Sequence, residues 1–528
     1  MPLTLTDASL DWALTHALKC GDTDIFPEIF EFQAISHKWE DIKKWIQATD
    51  ILKWKIRSYR RCLVPKHHFG FRVSTQLDPL DFLIFTALIN EIGKKLEAKR
   101  ISVQNNIVHS YRFCPNADGS MFSDQHTYQS FQRASQSICE QNDSSHVVIA
   151  DIADFFPRIY THRIDNTLDS ALGIGHMHAQ ALKKLISHWA GSYSYGIPVG
   201  SAASRLIAEV TISDIDQILL SKNAKYVRYS DDFRIFCKSE AEAYKYLTLI
   251  ARSLFDNHGL TLQQNKTKII PVDTFRRIYL KENENREIKT LSERFYELLP
   301  LMGIRDTYEG ISYVNLSHEC QKAIDELDLK NILREQINKE EPDIFLLKSL
   351  LRRLAQIGDS DALSLIFDDF NKFVPVIREV VEYLLKLDTL PSEYKSEFGK
   401  KLINIYKDET STASQLEYSR MYILRPFTLD KEWNSNDDNL YIDLYEKSKD
   451  DFSKREILLA MGRSKKDFWF RSEKLYFNQL TPWIRRAFIY SASCLPKDEY
   501  KHWIRGIKDD LDQIEFAISE WATENPIG

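Results

Sequence analysis

Tyr229-Ser230-Asp231-Asp232 lies between two short strand-like runs, Ala224 to Val227 and Phe233 to Cys237. Two adjacent carboxylates at the tip of a mainly hydrophobic hairpin repel each other, and a divalent cation is the usual remedy. Outward from this turn, a second acidic run, Asp151-Ile152-Ala153-Asp154-Phe155-Phe156, follows its own strand-like segment, Val147-Val148-Ile149-Ala150. The two strands can neighbour each other, so Asp151, Asp231 and Asp232 can meet at strand ends. Three such carboxylates can hold two Mg²⁺ ions, with Mn²⁺ as an alternative, in oxygen-rich shells. A metal pair of this kind activates a hydroxyl, stabilises a phosphate in transfer and neutralises a departing pyrophosphate. The competing reading is three solvated turn aspartates.

At 528 residues the chain is too long for one core, which implies two to four domains. Hydrophobic residues make up 43% and charged residues 28%, as in an ordinary globular protein. Only 17 Gly and 16 Pro favour helix over an all-β fold. A net charge of −6 argues against a basic nucleic-acid coat, yet a local basic groove can hide within it. The segment from Lys53 to Arg72 holds Lys53, Lys55, Arg57, Arg60, Arg61, Lys66 and Arg72 without an acid. The seven cysteines show no CxxC pair and read as reduced cytosolic thiols. The first residues lack a basic and apolar leader pattern, and no long uncharged apolar run occurs, so a cytoplasmic protein without membrane contact is expected.

Residues 1–50 read as short helices, the first capped at Thr6-Asp7. The stretch 51–146 contains the basic segment, an amphipathic helix opened by Asp78-Pro79, a turn-rich region from Asn105 to His126, and a helix over 127–140. Residues 147–290 alternate strand, helix, helix, hairpin and helix, the last ending at Gly259. That order predicts an α+β domain whose antiparallel sheet carries helices on one face. From about residue 300 strand signals fade. Amphipathic helices such as 344–355, 361–370, 375–387, 394–406, 455–461 and 482–493 follow one another, with pairs recurring loosely every 35 to 45 residues. That spacing suits a HEAT-like solenoid over 291–528 or an irregular bundle, either of which serves as a docking or oligomerisation scaffold.

The chain resembles a reverse transcriptase palm. Asp151-Ile152-Ala153-Asp154-Phe155-Phe156 is similar to motif A, whose first Asp and following backbone carbonyl (here Ile152) bind metal. Gly196-Ile197-Pro198-Val199-Gly200-Ser201-Ala202-Ala203-Ser204, running on to Ala208-Glu209, is similar to the motif B loop and helix. Tyr229-Ser230-Asp231-Asp232 matches motif C, with Ser where Ala, Met or Val is more usual. Gly259-Leu260-Thr261-Leu262 with Asn265-Lys266-Thr267-Lys268 looks like motif D, with Lys266 in the lysine slot. Arg57 to Arg112, with Ser110-Tyr111-Arg112-Phe113, resembles the fingers more distantly.

The resemblance implies a right-hand polymerase fold, fingers then palm, and roles for particular residues. Asp151, Asp231 and Asp232 bind the metals. The backbone of Ala153, Asp154, Phe155 and Phe156 cradles the triphosphate of a dNTP. Phe156 is either an aromatic gate beneath the sugar that excludes a 2′-hydroxyl, or a plain core Phe beside Phe155. Lys266 either protonates the leaving pyrophosphate or is a surface lysine. Gly196, Pro198 and Gly200 line the nucleotide, and Lys66 and Arg72 are candidate triphosphate clamps.

Thr274-Phe275-Arg276-Arg277-Ile278-Tyr279-Leu280 lacks the family's Phe-Leu-Gly primer-grip turn, and no RNase H, HNH or maturase segment is recognisable. A palm joined to a helical-repeat C-terminus resembles the bacterial abortive-infection (AbiK-like) and defence-associated reverse transcriptases. This resemblance implies anti-phage defence by a DNA polymerase, in a bacterial cytoplasm and as a homo-oligomer. Its DNA product is made with an RNA template or partner, or without template and primed on a protein hydroxyl. Alternatives are a retron-like or group II intron-like enzyme copying a dedicated RNA, and a catalytically silent palm that only binds.

Overall fold

The structure is a computed structural model describing residues 2–67, 70–280, 317–325, 328–387, 390–433 and 439–528. The expected boundary at 290/291 lies outside the described residues. The chain divides into two compact units, residues 1–61 with 74–285, and residues 62–73 with 286–528. No helix among the described residues is long and apolar enough to cross a membrane.

In the first unit the Thr6 side chain accepts the Ser9 amide and starts α1 (Asp7–Cys20), which is followed by α2 (Glu31–His37) and α3 (Trp39–Gln47). The basic segment holds a hairpin the sequence did not announce, β1 (Arg60–His67) and β2 (Gly70–Gln76), of which residues 62–73 are grouped with the second unit. Most of its charge stays exposed, on Lys53, Lys55, Arg61, Lys66 and Arg72, while two arginines turn inward. Arg60 is buried and donates to Gln76 Oε1 at 2.5 Å, and Arg57 pairs with the buried Asp78 at 3.1 Å. Asp78 caps α4 (Pro79–Glu97), with Pro79 in the first turn, where its missing N–H costs nothing. α4 departs from the one-faced helix expected, because every residue from Pro79 to Ile89 is buried. A helix buried all round forms the centre of its unit, and α4 packs on α1 and on α7 to α9 (ranges below).

Thr127 and Ser130 close a reciprocal capping box at the start of α5 (Tyr128–Glu140). Then come β3 (His146–Asp151), α6 (Phe155–Arg158), α7 (Thr161–Leu172), α8 (Met177–Ala190), α9 (Ala202–Thr211) and α10 (Ser213–Ser221). The hairpin β4 (Lys225–Tyr229) and β5 (Asp232–Cys237) leads into α11 (Glu240–His258). α11 ends at Gly259, whose φ of +63° is left-handed, as at many helix C-termini. A further strand, β6 (Lys268–Pro271), and α12 (Val272–Phe275) follow.

The sheet is antiparallel in the order β4-β5-β3-β6. Its register pairs Val147 with Phe236, Ala150 with Phe233 and Asp151 with Asp232. Helices on one face only were expected, yet residues 147–151 and 233–237 are all buried. Successive strand residues point to opposite faces, so both faces are covered. On one face Val147, Ile149, Val227 and Phe236 pack with Phe131, Ala134 and Cys139 of α5 and with Val272 and Phe275. Each large apolar side chain buried here contributes roughly 1.5–3 kcal/mol.

The second unit is helical throughout its described residues beyond 317. Six helices, Ile344–Ile357, Ile377–Leu385, Glu417–Leu429, Asp451–Arg463, Pro482–Ser491 and Gln513–Glu524, each pack on the next. Their first residues are spaced 31 to 40 apart. Between them run Ser392–Lys407 and Leu440–Lys447, each against the helix that follows it. Each of the six therefore packs chiefly on helices near it in sequence. Pro375 does not open a helix as expected. It lies inside the 3₁₀ segment Phe370–Val376, and the α-helix starts at Ile377.

Candidate active site

β3 and β5 bring the two acidic motifs together. Asp151 ends β3, Asp232 begins β5, and the two are direct register partners. Ser230 and Asp231 form the two-residue turn between Tyr229 and Asp232, which pair across the hairpin. Ser230 has a φ of +55°, and primed hairpin turns require positive φ at this first position. The Ile152 amide donates to the Asp231 carbonyl at 3.2 Å, tying motif A to the turn.

Past β3 the chain pairs with motif D. The Gln263 amide donates to the Asp151 carbonyl at 2.7 Å and the Ala153 amide to Thr261 at 2.8 Å. This alternation leaves the Ile152 carbonyl without a hydrogen bond among the described residues. It also occupies the Ala153 amide, one of those expected to face a triphosphate. The amides of Asp154, Phe155 and Phe156 donate to no group among the described residues.

Lys266 reaches Asp151, its Nζ 2.8 Å from Oδ2, with its own side chain about half exposed. Burial alone would lower the Lys266 pKa, but the hydrogen bond and charge of Asp151, with Asp232 and Asp231 behind it, raise it. Burial, then the charges of Asp231 and Asp151, push the Asp232 carboxyl up to about 7. The site therefore carries more negative charge than its surroundings balance.

Among the described residues no group of three or more His, Cys, Asp or Glu side chains is arranged to hold a metal ion. Lys266 supplies a cation at Asp151 instead. The donor set still fits a hard divalent ion. It offers the carboxylates of Asp151, Asp231 and Asp232 and the free Ile152 carbonyl, all oxygens, and crowded carboxylates whose repulsion such an ion would relieve.

Phe155 is buried, and Phe156 is partly exposed with its ring edge-on to Phe155 at 5.3 Å. The Phe156 carbonyl accepts the Ile197 amide at 3.2 Å, which sets the motif B loop against α6. Gly196 and Gly200 have φ of +100° and +111°. A Cβ on Gly196 would lie 3.2 Å from the Pro157 carbonyl, and one on Gly200 would collide with Thr23 Oγ1. Their smallness thus serves contacts within the protein, with the N-terminal segment reaching motif B. Pro198 is buried. Lys66 on β1 and Arg72 on β2 are exposed and are grouped with the second unit.

Behind the turn lies a buried ionic cluster that sequence reasoning missed. Arg228 of β4 pairs bidentately with Asp216, with Nε at 3.0 Å and Nη2 at 2.6 Å, and its Nη1 is 3.0 Å from Glu209. Arg100 meets Glu209 at 2.7 Å, and Tyr226 donates to Asp216. Burial works against the Glu209 charge, but Arg228 and Arg100 outweigh it and hold its pKa below the usual carboxylate range. Burial likewise disfavours the Arg228 guanidinium, and Asp216 and Glu209 more than restore it. The available signal was a lone charge inside an apolar run for two of them, Arg228 in Tyr226–Tyr229 and Glu209 in Leu206–Val210; Asp216, in Ser213-Asp214-Ile215-Asp216-Gln217, gave no such signal.

Residues 84–292 match the family model for reverse transcriptase (RNA-dependent DNA polymerase). The chain carries a reverse transcriptase domain. Among solved structures it is similar to telomerase from Candida albicans in complex with a fragment of telomeric RNA, at 13% identity and a TM-score of 0.29, covering 72% of this chain and 70% of that one. It is similar to apo telomerase from Candida tropicalis at 10% identity and a TM-score of 0.32, covering 74% and 73%. A partial Cas6-RT-Cas1–Cas2 complex is matched at 19% identity and a TM-score of 0.25, covering 47% and 41%. No curated protein matches the chain. The reverse transcriptase assignment rests on the family model.

Proposed function

We propose that the chain is a DNA polymerase that adds dNTPs by two-metal nucleotidyl transfer. The observation that carries this reading is the direct pairing of Asp151 with Asp232 across β3–β5, with Asp231 in the adjoining turn. Asp151, Asp231, Asp232 and the Ile152 carbonyl would hold Mg²⁺ or Mn²⁺. When bound, such ions lower the pKa of a 3′-hydroxyl and offset charge at the reacting phosphate. The free amides of Asp154 to Phe156 would receive triphosphate oxygens, as exposed backbone N–H groups do. Phe156 would stand beneath the sugar and disfavour a 2′-hydroxyl. Lys266, once released from Asp151, would donate its proton to the leaving pyrophosphate.

The finer reading is an abortive-infection enzyme acting in anti-phage defence in the bacterial cytoplasm, as a homo-oligomer with a HEAT-like C-terminal scaffold. Its support is architectural. A reverse transcriptase domain is followed by a helical stack, and a short helix running into a π-helical turn, Arg276–Leu280, stands where a primer-grip turn is expected. Untemplated, protein-primed synthesis belongs to the same proposal, since a primer grip serves to hold a nucleic-acid 3′ end. One observation favours the silent-palm alternative, the Lys266–Asp151 contact at 2.8 Å.

Purified protein given Mg²⁺ and labelled dNTPs, with and without RNA, separates the readings. Label incorporated without RNA, and retained on the polypeptide in a denaturing gel, supports untemplated, protein-primed synthesis. Strict RNA dependence returns the enzyme to the retron-like or intron-like class. Asp232→Asn should reduce incorporation by at least about a hundredfold, on the scale of losing one preorganised electrostatic group. A wild type that incorporates nothing is the silent palm.

A further inference from the structure

One buried carboxylate reaches both polar ends of the Ser230 residue that shapes the turn. The Ser230 amide donates to Ser110 Oγ at 2.8 Å, and the Ser110 hydroxyl donates to Glu209 Oε1 at 2.5 Å. The Ser230 carbonyl accepts from Arg228 Nη1 at 2.8 Å, and that same nitrogen lies 3.0 Å from Glu209 Oε2. Ser110, Glu209 and Arg228 are each 1% exposed or less. Arg100 and Asp216 close the cluster from behind, Arg100 also donating to the Ser110 and Tyr111 carbonyls at 2.7 Å.

This bracing acts where the backbone is least willing. Ser230 is not glycine, and its positive φ is disfavoured by its own Cβ. In a two-residue turn the Ser230 peptide planes set the direction of the next residue, Asp231. Ser110, Glu209 and Arg228 bond one another and both polar ends of Ser230, and hydrogen-bonded networks in a low-dielectric interior are rigid. The three residues that hold Ser230 come from three stretches of chain, the loop before α5, the motif B helix α9 and strand β4. The turn is therefore aimed by tertiary structure and not by its local sequence.

We propose that Glu209, acting through Ser110 and Arg228, is a positioning residue that holds the Ser230 turn and so aims Asp231 at the cation site. The proposal rests on the two-metal reading given above. Ser110 is the place to test it, because removing Glu209 would strand two buried arginines and threaten the fold.

Binding of Mn²⁺ to the full chain, followed by electron paramagnetic resonance, is compared for wild type, Ser110→Ala and Ser110→Thr, alongside nucleotide incorporation. Ser110→Ala leaves a buried amide unpaired. It should weaken Mn²⁺ binding and lower kcat by about tenfold each with the dNTP KM unchanged, and Ser110→Thr should restore both. Should Ser110→Ala fail to fold, Ser110→Cys keeps the volume, weakens both hydrogen bonds and carries the same expectation. Wild-type Mn²⁺ binding and kcat in the Ala variant overturn the proposal, as does a Thr variant no better than Ala. The Mn²⁺ arm decides the anchor even where no nucleotide is incorporated, an outcome that sinks the polymerase reading alone. A wild type that binds no Mn²⁺ overturns both.

Discussion

Under the proposed two-metal reading Lys266 would hold two incompatible positions in the catalytic cycle. In the structure its ammonium neutralises Asp151, at 2.8 Å. In transfer it would have to leave that carboxylate and serve the departing pyrophosphate. A divalent cation competes with it for the same oxygens. Lys266→Ala should therefore split the parameters. The Mg²⁺ concentration for half-maximal rate should fall, because the competitor is gone, while kcat falls by about 10²-fold or more with the proton donor lost. Joint measurement over a Mg²⁺ titration checks this. A variant with lowered kcat and unchanged Mg²⁺ dependence would make the Asp151 contact incidental. The meeting of Asp151 with Asp231-Asp232 could be read from the sequence, because both motifs sit at the ends of short apolar strands. The contact from Lys266 to Asp151 could not, since it needs the 115-residue excursion through α6 to α11 to close.

At the scale of elements, legibility followed the strength of the local pattern. β3, β4 and β5 were expected because they are short apolar runs next to turn residues, and α4, α5 and α11 because caps and periodicity agree. β6 was missed. It has only four residues, Lys268 to Pro271, half of them exposed, and shows no alternation. The β1–β2 hairpin was hidden by its charges and by Pro65, which read as breakers. The cluster of Arg228, Glu209 and Asp216 was invisible for a different reason. Isolated charges in apolar runs, as Arg228 and Glu209 are, declare themselves buried, but Asp216 lies in a polar stretch and nothing in the sequence pairs the three. Asp22, in the loop after α1, shows the same limit. It is buried, accepts from Gln76 Nε2 at 3.0 Å, and burial pushes its carboxyl up to about 7, against the pull of Gln76 and of Arg60. Its folded pKa exceeds the unfolded value of 3.8, so the folded state keeps a proton that the unfolded state releases. The stability this contributes is full below about pH 4 and is lost as pH rises towards 7. Asp22→Asn, neutral at every pH, should leave that loss out. Its Tm at pH 8 should exceed the wild type by about 2–4 °C for each kcal/mol recovered, and the difference should shrink at pH 5. An Asn variant with the same deficit at both pH values would show that Asp22 is held ionised.

For the whole molecule, the second unit poses the question of whether the helices after residue 317 act as a solenoid or as one cooperative bundle. Both readings were open in the sequence, where the repeat has the right period but no signature. The helices pack consecutively from Ile344–Ile357 to Gln513–Glu524, and in a solenoid each would depend chiefly on its neighbours. Phe488 tests the difference. It is 1% exposed, and its ring centroid lies 5.3 Å from Phe470, 5.7 Å from Trp503 and 6.0 Å from Trp469 and Phe477. Phe488→Ala deletes the common partner of four aromatic rings and should cost about 3–5 kcal/mol. In a one-dimensional stack that cost is felt by the helix carrying it, Pro482–Ser491, and by its neighbours Asp451–Arg463 and Gln513–Glu524. Amide hydrogen exchange should accelerate strongly in these three and little in Ile344–Ile357, four packing steps away. Equal acceleration from Ile344 to Glu524 would mean that the unit opens as one body. A scaffold of the first kind can lose order at one end while keeping it at the other, and a scaffold of the second kind cannot.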